Sequence, residues 1–317
     1  MNPTLPDLLK AGIDGLLQGV SRKDLAARAQ AISATYRGGK GSARAIGGDA
    51  DVLAYLVARL PATYAVAAAV CAQVHTAVPD FAPRSLLDAG GGPGTASWAA
   101  RERWPALQAT LTDANPHFLA MAKALSPELE TLPRDLVRDE LPSADLVIAS
   151  FVLAEIAPAA QVPLIAKLYD AAVDTLILIE PGTPAGFERI RAARAGLIEQ
   201  GAHVLGPCTH ANTCPMRGND WCHFSQRLPR SRDHIQAKGA SVPYEDERYS
   251  WIAVSRARRS AFEGEARVLA PPLETKPGRT FKLCTPDGLE SRFVARRDRE
   301  AFAALRRADW ADVVVRA

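Results

Sequence analysis

Asp88-Ala89-Gly90-Gly91-Gly92-Pro93-Gly94 is the stretch that decides the fold. It follows a short apolar run, Ser85-Leu86-Leu87, and precedes a helical segment from Thr95 to Glu102. It therefore reads as a turn between a buried strand and a helix. Glycines at 90, 91, 92 and 94 permit positive φ and let the backbone approach a ligand closely. The helix that follows offers free N–H groups and a partial positive charge, which suit a carboxylate or phosphate. Asp88, at the strand end, is placed to reach a ligand's ammonium group directly or through water. Asp113 ends the next strand 25 residues later. An acidic side chain at that place accepts both ribose hydroxyls. A nicotinamide dinucleotide fits less well, because its loop is usually Gly-x-Gly-x-x-Gly and an Asp before the glycines repels a pyrophosphate. The ligand implied is S-adenosylmethionine, held by Asp88, Gly90, Gly91, Gly92, Gly94 and Asp113.

Outward from this loop, strands alternate with helices. Strands are expected at Gln108–Thr112, Leu129–Leu132, Ala144–Ser150, Thr175–Ile179, His203–Leu205 and Tyr249–Ser255. Helices are expected at His117–Leu125, Gln161–Ala172 and Phe187–Gln200. This alternation predicts an α/β, Rossmann-like class I methyltransferase fold with a seven-stranded, mostly parallel sheet. Residues 1–80 read as an N-terminal helical region, with Arg37-Gly38-Gly39-Lys40-Gly41-Ser42 as a loop and Pro61 separating the last two helices. The methyltransferase domain is expected over 81–260, with a Cys-rich metal-binding insertion at 206–232. A small, basic β/α extension follows at 261–317, with a hairpin turning at Asp287-Gly288 and a helix from Asp298 to Ala308.

Two further strand tips would line the same cleft. The fourth strand ends in Ser150-Phe151-Val152-Leu153-Ala154-Glu155 and the fifth in Glu180-Pro181-Gly182. Ser150 is read as cofactor-binding, and Glu155 and Glu180 as candidates to orient a substrate or act as a base. The Asn/Asp-Pro-Pro-Tyr pattern of amino-methylating enzymes is missing from the fourth strand. A cysteine there, needed for a pyrimidine-C5 adduct, is missing too.

The chain of 317 residues, 48% hydrophobic and 23% charged, has room for such a domain plus extensions. No stretch of some 18 apolar residues suggests a membrane span. The start, Met1-Asn2-Pro3-Thr4-Leu5-Pro6-Asp7, lacks a secretory pattern. A cytoplasmic monomer is the expectation. Net charge is +3, but Arg227–Ala317 carries 19 Lys and Arg against 13 Asp and Glu. Eleven arginines there, among them Arg227, Arg256, Arg296 and Arg307, are candidate phosphate contacts.

Of five cysteines, Cys208, Cys214 and Cys222 fall within fifteen residues, separated by Pro, Gly and Asn. Cys71 lies in an apolar alanine-rich run and reads as a buried thiol. The triplet suggests a metal site whose fourth ligand is Cys284, His210 or His223. Zinc knuckles of the Cys-x2-4-Cys kind are absent, and irregular wide spacing fits an iron–sulfur cluster at least as well. Such a site would be structural, supplying roughly 10 kcal/mol or more of folding energy.

Together these residues resemble a known family. The matching stretches are Ala54–Tyr64, Leu87–Thr95, Ile179–Phe187, Pro207-Cys208, Cys222-His223-Phe224 and Leu283–Gly288. The family comprises the Rsm-type methyltransferase-like proteins associated with the small ribosomal subunit of mitochondria and bacteria. The resemblance implies a [4Fe–4S] site on Cys208, Cys214, Cys222 and Cys284. It also implies contact with small-subunit rRNA during ribosome assembly, as a methyltransferase or as a non-catalytic factor that keeps the fold.

Overall fold

The structure, a computed structural model, describes residues 4–37 and 45–316. Most of the expected glycine-rich loop at 37–42 lies outside the described residues. Among the described residues, four N-terminal helices come first: α1 (Asp7–Leu16), α2 (Arg22–Arg37), α3 (Asp49–Ala58) and α4 (Leu60–Ala77). Pro61 sits in the first turn of α4, where its missing N–H costs nothing. Among the described residues no single helix is long and apolar enough to cross a membrane. Only α3 and α4 together would be, as a pair bent by 55°, and both bury their apolar residues in the core.

The central sheet holds β1 (Ser85–Ala89), β2 (Gln108–Asp113), β3 (Glu130–Pro133), β4 (Ala144–Ser150), β5 (Ala172–Pro181), β6 (His203–Gly206), β7 (Phe224–Pro229) and β8 (Tyr244–Ser255). Its order is β3-β2-β1-β4-β5-β8-β6. The first five are parallel, and β8 runs antiparallel to both β5 and β6. This is the Rossmann-like class I methyltransferase order, closed by a reversed strand. The connecting helices are α5 (Thr95–Arg103), α6 (Pro116–Leu125), α7 (Pro158–Ala171) and α8 (Pro184–Glu199).

Period-two alternation in the strands sorts the core into two layers. Leu86, Leu146, Ile148, Ile177 and Ile179 pack with Val70 and Val74 of α4 and Ala99 of α5. Leu87, Val147, Leu176 and Leu178 pack on the other face with Leu168 of α7 and Leu197 of α8. A third cluster joins Leu9, Leu25 and Leu56 of the N-terminal helices to Phe118 and Met121 of α6. The N-terminal helices are thereby welded to the sheet's flank.

An eighth strand extends the expected seven. β8 begins at Tyr244, five residues before the apolar run that announces it, and its first half pairs with β7 from Phe224↔Tyr249 to Pro229↔Tyr244. The charges of Glu245, Asp246, Glu247 and Arg248 hide that half from a reading of apolar runs, although only Asp246 and Arg248 face solvent. Between these strands lies α9 (Arg232–Lys238), capped by Ser231.

The C-terminal extension is a sheet of its own: β9 (Ala266–Val268), β10 (Leu273–Glu274), β11 (Gly278–Thr285), β12 (Gly288–Ala295) and β13 (Val313–Val314), with α10 (Arg299–Leu305) packed on it. The β11–β12 hairpin turns between Thr285 and Gly288. β9, β10 and β13 are two or three residues long and carry no periodic signal.

A charge network fastens the N-terminal helices to β7–β8. Glu245 binds Lys238, lies 3.0 Å from His234 Nε2 and 3.4 Å from Arg230 Nε. Arg22 pairs with Asp233 at 2.9 Å and Arg59 with Glu247 at 3.5 Å. Burial would raise the Glu245 carboxyl, but His234 and Lys238 outweigh it and hold it down to about 2. A depressed carboxylate stabilises the fold above its unfolded value of 4.5, and that contribution is lost as pH falls toward 2. Glu245→Gln should therefore lower stability at pH 7 by about 2–3 kcal/mol. The gap to wild type in urea titrations should narrow between pH 5 and pH 2; a gap independent of pH would contradict this assignment.

Candidate functional site: a nucleotide cleft and a cysteine cluster

The glycine turn is closed onto the end of β2. Gly90 and Gly91 N–H donate to Thr112 O at 2.7 and 3.1 Å, Gly92 N–H to Asp113 Oδ2 at 2.9 Å, and Gly94 N–H to Gly91 O at 2.9 Å. The turn's own amides are thus consumed internally, and the glycines serve by leaving out side chains. A Cβ at Gly91 would stand 2.5 Å from Asp88 Cγ. Gly94, at φ 87°, is the left-handed residue from which α5 starts. Helix geometry leaves the Thr95 and Ala96 amides without intrahelical acceptors, and Thr95 Oγ1 is buried without a partner.

Asp88 is fully buried. Its Oδ2 accepts from Ser97 N–H at 2.8 Å and Ser97 Oγ at 2.7 Å, while Oδ1 is buried without a partner. Burial raises this carboxyl to about 6, against the pull of the Ser97 bonds and with a further push from Asp113. Asp113 stands at the adjoining strand tip, its Oδ1 accepting from Asn115 N–H at 2.8 Å. Burial raises its pKa too, opposed by the amides of Asn115 and Gly92.

Ser150 lies half-buried at the tip of β4. The next residue, Phe151, has φ 61°, a strained value for an aromatic residue, and its N–H donates to Ile179 O at 2.7 Å. No residue pattern announces that conformation. Glu180 is fully buried, with Oε2 2.6 Å from Arg189 Nε. Burial raises its pKa, opposed first by Arg189 and then by the amides of Ala154 and Leu153. Glu180 thus ties the turn after β4 to α8. Glu155 is exposed in that turn (Leu153–Glu155).

The N-terminal helices supply a wall that the sequence did not single out. The Tyr55 ring meets Phe118 edge-on at 5.1 Å, and Phe118 lies 3.8 Å from where a Gly92 Cβ would be. Burial pushes the Tyr55 hydroxyl up to about 12; Arg59 opposes the shift, and the charges of Glu155 and Asp113 add to it. The charges of Asp113 and Glu155 thus both reach the Tyr55 hydroxyl.

Cys208, Cys214, Cys222 and Cys284 line a single cavity of about 30 Å³ with His210, walled by Phe187, Met216, Trp251 and Leu269. Cys284 arrives at the end of β11, so the C-terminal sheet closes the site. Burial pushes the Cys222 thiol well up and Cys284 up to about 12, and the neighbouring cysteines add to both shifts. His210 Nε2 lies 3.4 Å from Cys284 Sγ. His223 instead stacks on Trp221 at 5.1 Å, and it is not among the cavity's walls. Cys71 is buried in the α4 core, away from this cavity. Among the described residues no three His, Cys, Asp or Glu side chains are arranged to hold a single metal ion.

Two buried guanidinium groups flank the thiols. Arg194 NH2 donates to His210 O and Asn212 O, both at 2.8 Å. Arg267 donates through Nε to Pro207 O at 2.7 Å and through NH1 to Gln73 Oε1 and Ala311 O. Neither has a carboxylate partner among the described residues. Burial lowers Arg267 to about 10, against the pull of Cys208 and Cys222. Uncompensated buried cations are costly unless negative charge stands beside them.

The arginine-rich C-terminal surface is largely neutralised. Of the eleven arginines read as phosphate contacts, Arg227, Arg230, Arg256, Arg258, Arg259, Arg292 and Arg296 are held in ion pairs. Among the described residues, Arg232, Arg297, Arg306 and Arg307 have no such partner.

Comparison with known proteins gives one curated relative, the human protein "Ribosome assembly protein METTL17, mitochondrial". It is 26% identical over 287 residues, which is 83% of this chain and 62% of the relative. The chain thus spans less than two thirds of that protein's length. Solved structures overlap more loosely. Magnesium protoporphyrin IX methyltransferase from Synechocystis, with bound S-adenosylmethionine, is 16% identical with a TM-score of 0.40, over 62% of this chain and 80% of that one. A TehB-like methyltransferase from Corynebacterium glutamicum is 16% identical with a TM-score of 0.39, over 61% and 88%. The family profile "Mitochondrial small ribosomal subunit Rsm22" matches residues 49–315, and the chain belongs to that family.

Proposed function

We propose that this chain binds S-adenosylmethionine at the tips of β1, β2 and β4 and works as a methyltransferase on the small ribosomal subunit and its rRNA. The observation that carries the reading is the pair of carboxylates, Asp88 and Asp113, flanking a closed glycine turn at adjoining strand tips. Bound S-adenosylmethionine supplies an activated methyl group on a sulfonium. Asp113 keeps lone pairs beyond its two amide bonds, enough to accept ribose hydroxyls. The partnerless Asp88 Oδ1 is a buried acceptor suited to an ammonium proton or a bridging water. Tyr55 and Phe118 wall the cleft and exclude water from it. Glu180 is spent on Arg189, and Glu155, exposed in the turn after β4, is the candidate to orient a substrate. The human relative's role in ribosome assembly and the family's tie to the small subunit support the choice of partner.

The second part of the proposal is a [4Fe–4S] group on Cys208, Cys214, Cys222 and Cys284. The donor set fits: four thiols around one apolar-walled cavity, with two buried guanidiniums to balance thiolate charge. Zinc, held by the same four thiolates at about 2.3 Å, is the alternative occupant. The group would fasten the 208–222 loop and the C-terminal sheet to β8.

Calorimetry with S-adenosylmethionine should give binding to the wild type and an affinity at least about tenfold lower for Asp113→Ala, since charge-assisted hydrogen bonds are worth 1.5–3 kcal/mol each. Equal affinities would remove the ribose assignment. Small-subunit rRNA from a deletion strain should lack a methyl group that wild type restores and Gly91→Val does not; full restoration by the variant would defeat the enzymatic reading. Anaerobically purified protein should carry iron and acid-labile sulfide in equal amounts, and Cys284→Ser should lose most of both along with thermal stability. Stoichiometric zinc in place of iron would overturn the cluster.

A further inference from the structure

α8 turns one face toward the cysteine cavity. Phe187, Ile190, Arg191 and Arg194 line that cavity, at the spacing of a single helix face. Phe187 and Ile190 are buried apolar side chains, and Arg191 is paired with Glu188 at 2.5 Å. Arg194 stands between Ile190 and the buried Leu197, where the helix pattern calls for another apolar residue, and it is 5% exposed. Its NH2 donates to His210 O and Asn212 O. Those two bonds fix the guanidinium plane, and the Nε–H is buried with no acceptor among the described residues. Arg267 is buried too, but its Nε–H is spent on Pro207 O at 2.7 Å. A cationic donor buried without an acceptor is costly. The fold therefore makes sense of the Arg194 Nε–H only if a bound acceptor meets it.

We propose that Arg194 donates its Nε–H to a sulfur of the iron–sulfur group and thereby favours the group's reduced, more negative state. The proposal rests on the four-cysteine reading above and goes beyond it, because it gives a residue outside the ligand set a hold on the reduction equilibrium. Hydrogen bonds to the sulfurs and nearby charge are two of the protein's means of setting that equilibrium. The negative charge on the sulfurs grows when the irons take up an electron, so a charge-assisted N–H bond stabilises the reduced state more. The electron enters the irons, no bond forms or breaks, and the Nε–H keeps its proton. Burial raises the Cys214 and Cys284 thiols, and Arg194 is among the charges that oppose both shifts. A water in place of sulfur would need two to four polar partners, whereas the α8 side chains nearest Arg194 in the wall include the apolar Ile190 and Phe187.

Anaerobically purified full-length protein would be titrated with dithionite in the presence of redox mediators, following visible absorbance and the spin signal of the reduced form. Arg194→Lys, which keeps the charge and loses the Nε–H, should move the equilibrium toward the oxidised form by about 3- to 10-fold, tenfold being about 59 mV for one electron. Electron spin-echo modulation of the reduced wild type, grown with isotope-labelled arginine, should show an arginine nitrogen coupled to the cluster spin. That coupling should vanish in Arg194→Lys and persist in Arg267→Lys. An unshifted equilibrium in Arg194→Lys, or a coupling that survives there, would overturn the proposal. Absence of any arginine coupling in the wild type would overturn it as well, even where the variant fails to fold or to load. Iron and sulfide content of the wild type separates the two levels. Protein that binds neither defeats the four-cysteine reading itself, whereas loaded protein indifferent to residue 194 sinks only the role given to Arg194.

Discussion

A carboxylate buried at the centre of a sheet is the constraint on which the glycine turn and its two acidic strand tips depend. Asp88 sits under its own turn, with one oxygen holding the amide and hydroxyl of Ser97. That bond fixes where α5 begins, and the carboxyl occupies the space any side chain at 91 would need. The turn must then close on Thr112 and Asp113, which sets the two acidic strand tips side by side. Burial of an acceptor without a partner disfavours the charged form and leaves the fold ready for a ligand that brings a proton or a positive charge.

The same economy of buried charge governs the cysteine cavity. Arg194 and Arg267 reach it from α8 and β9 and each donates to two backbone carbonyls, those of His210 and Asn212 and those of Pro207 and Ala311. They thereby stitch the loop after β6 to the C-terminal sheet and to α4. Two cations held this way beside four thiols oppose, without outweighing, the burial that favours the neutral thiols. The C-terminal sheet is consequently part of the cavity's wall, since Cys284 and Arg267 face each other across the β9–β11 ladder.

Charge on the surface tells the opposite story. Counting residues suggests a broad basic tail, yet most of its arginines meet an acidic neighbour across a strand or along the chain. Such exposed pairs contribute little to stability, but they cancel the field that a polyanion would sense. What is left is a short and local positive feature at the two ends of α10.

The sequence by itself determined the parallel sheet and its glycine turn, because apolar runs buried on both faces and a strand-terminal Asp before glycines are local patterns. It also grouped Cys208, Cys214 and Cys222 by their closeness in the chain, and the tertiary structure brought Cys284 to the same cavity. Only the tertiary structure decided which charges remain unpaired, because ion pairs such as Arg258 with Asp80 and Asp174 join residues far apart in the chain. It decided that Glu180 is a strut to Arg189, that Tyr55 packs on Phe118 beside the turn, and that the turn's amides are used internally. It likewise revealed β7 and the very short strands of the C-terminal sheet, whose pairing comes from neighbours in space and leaves no period in the chain.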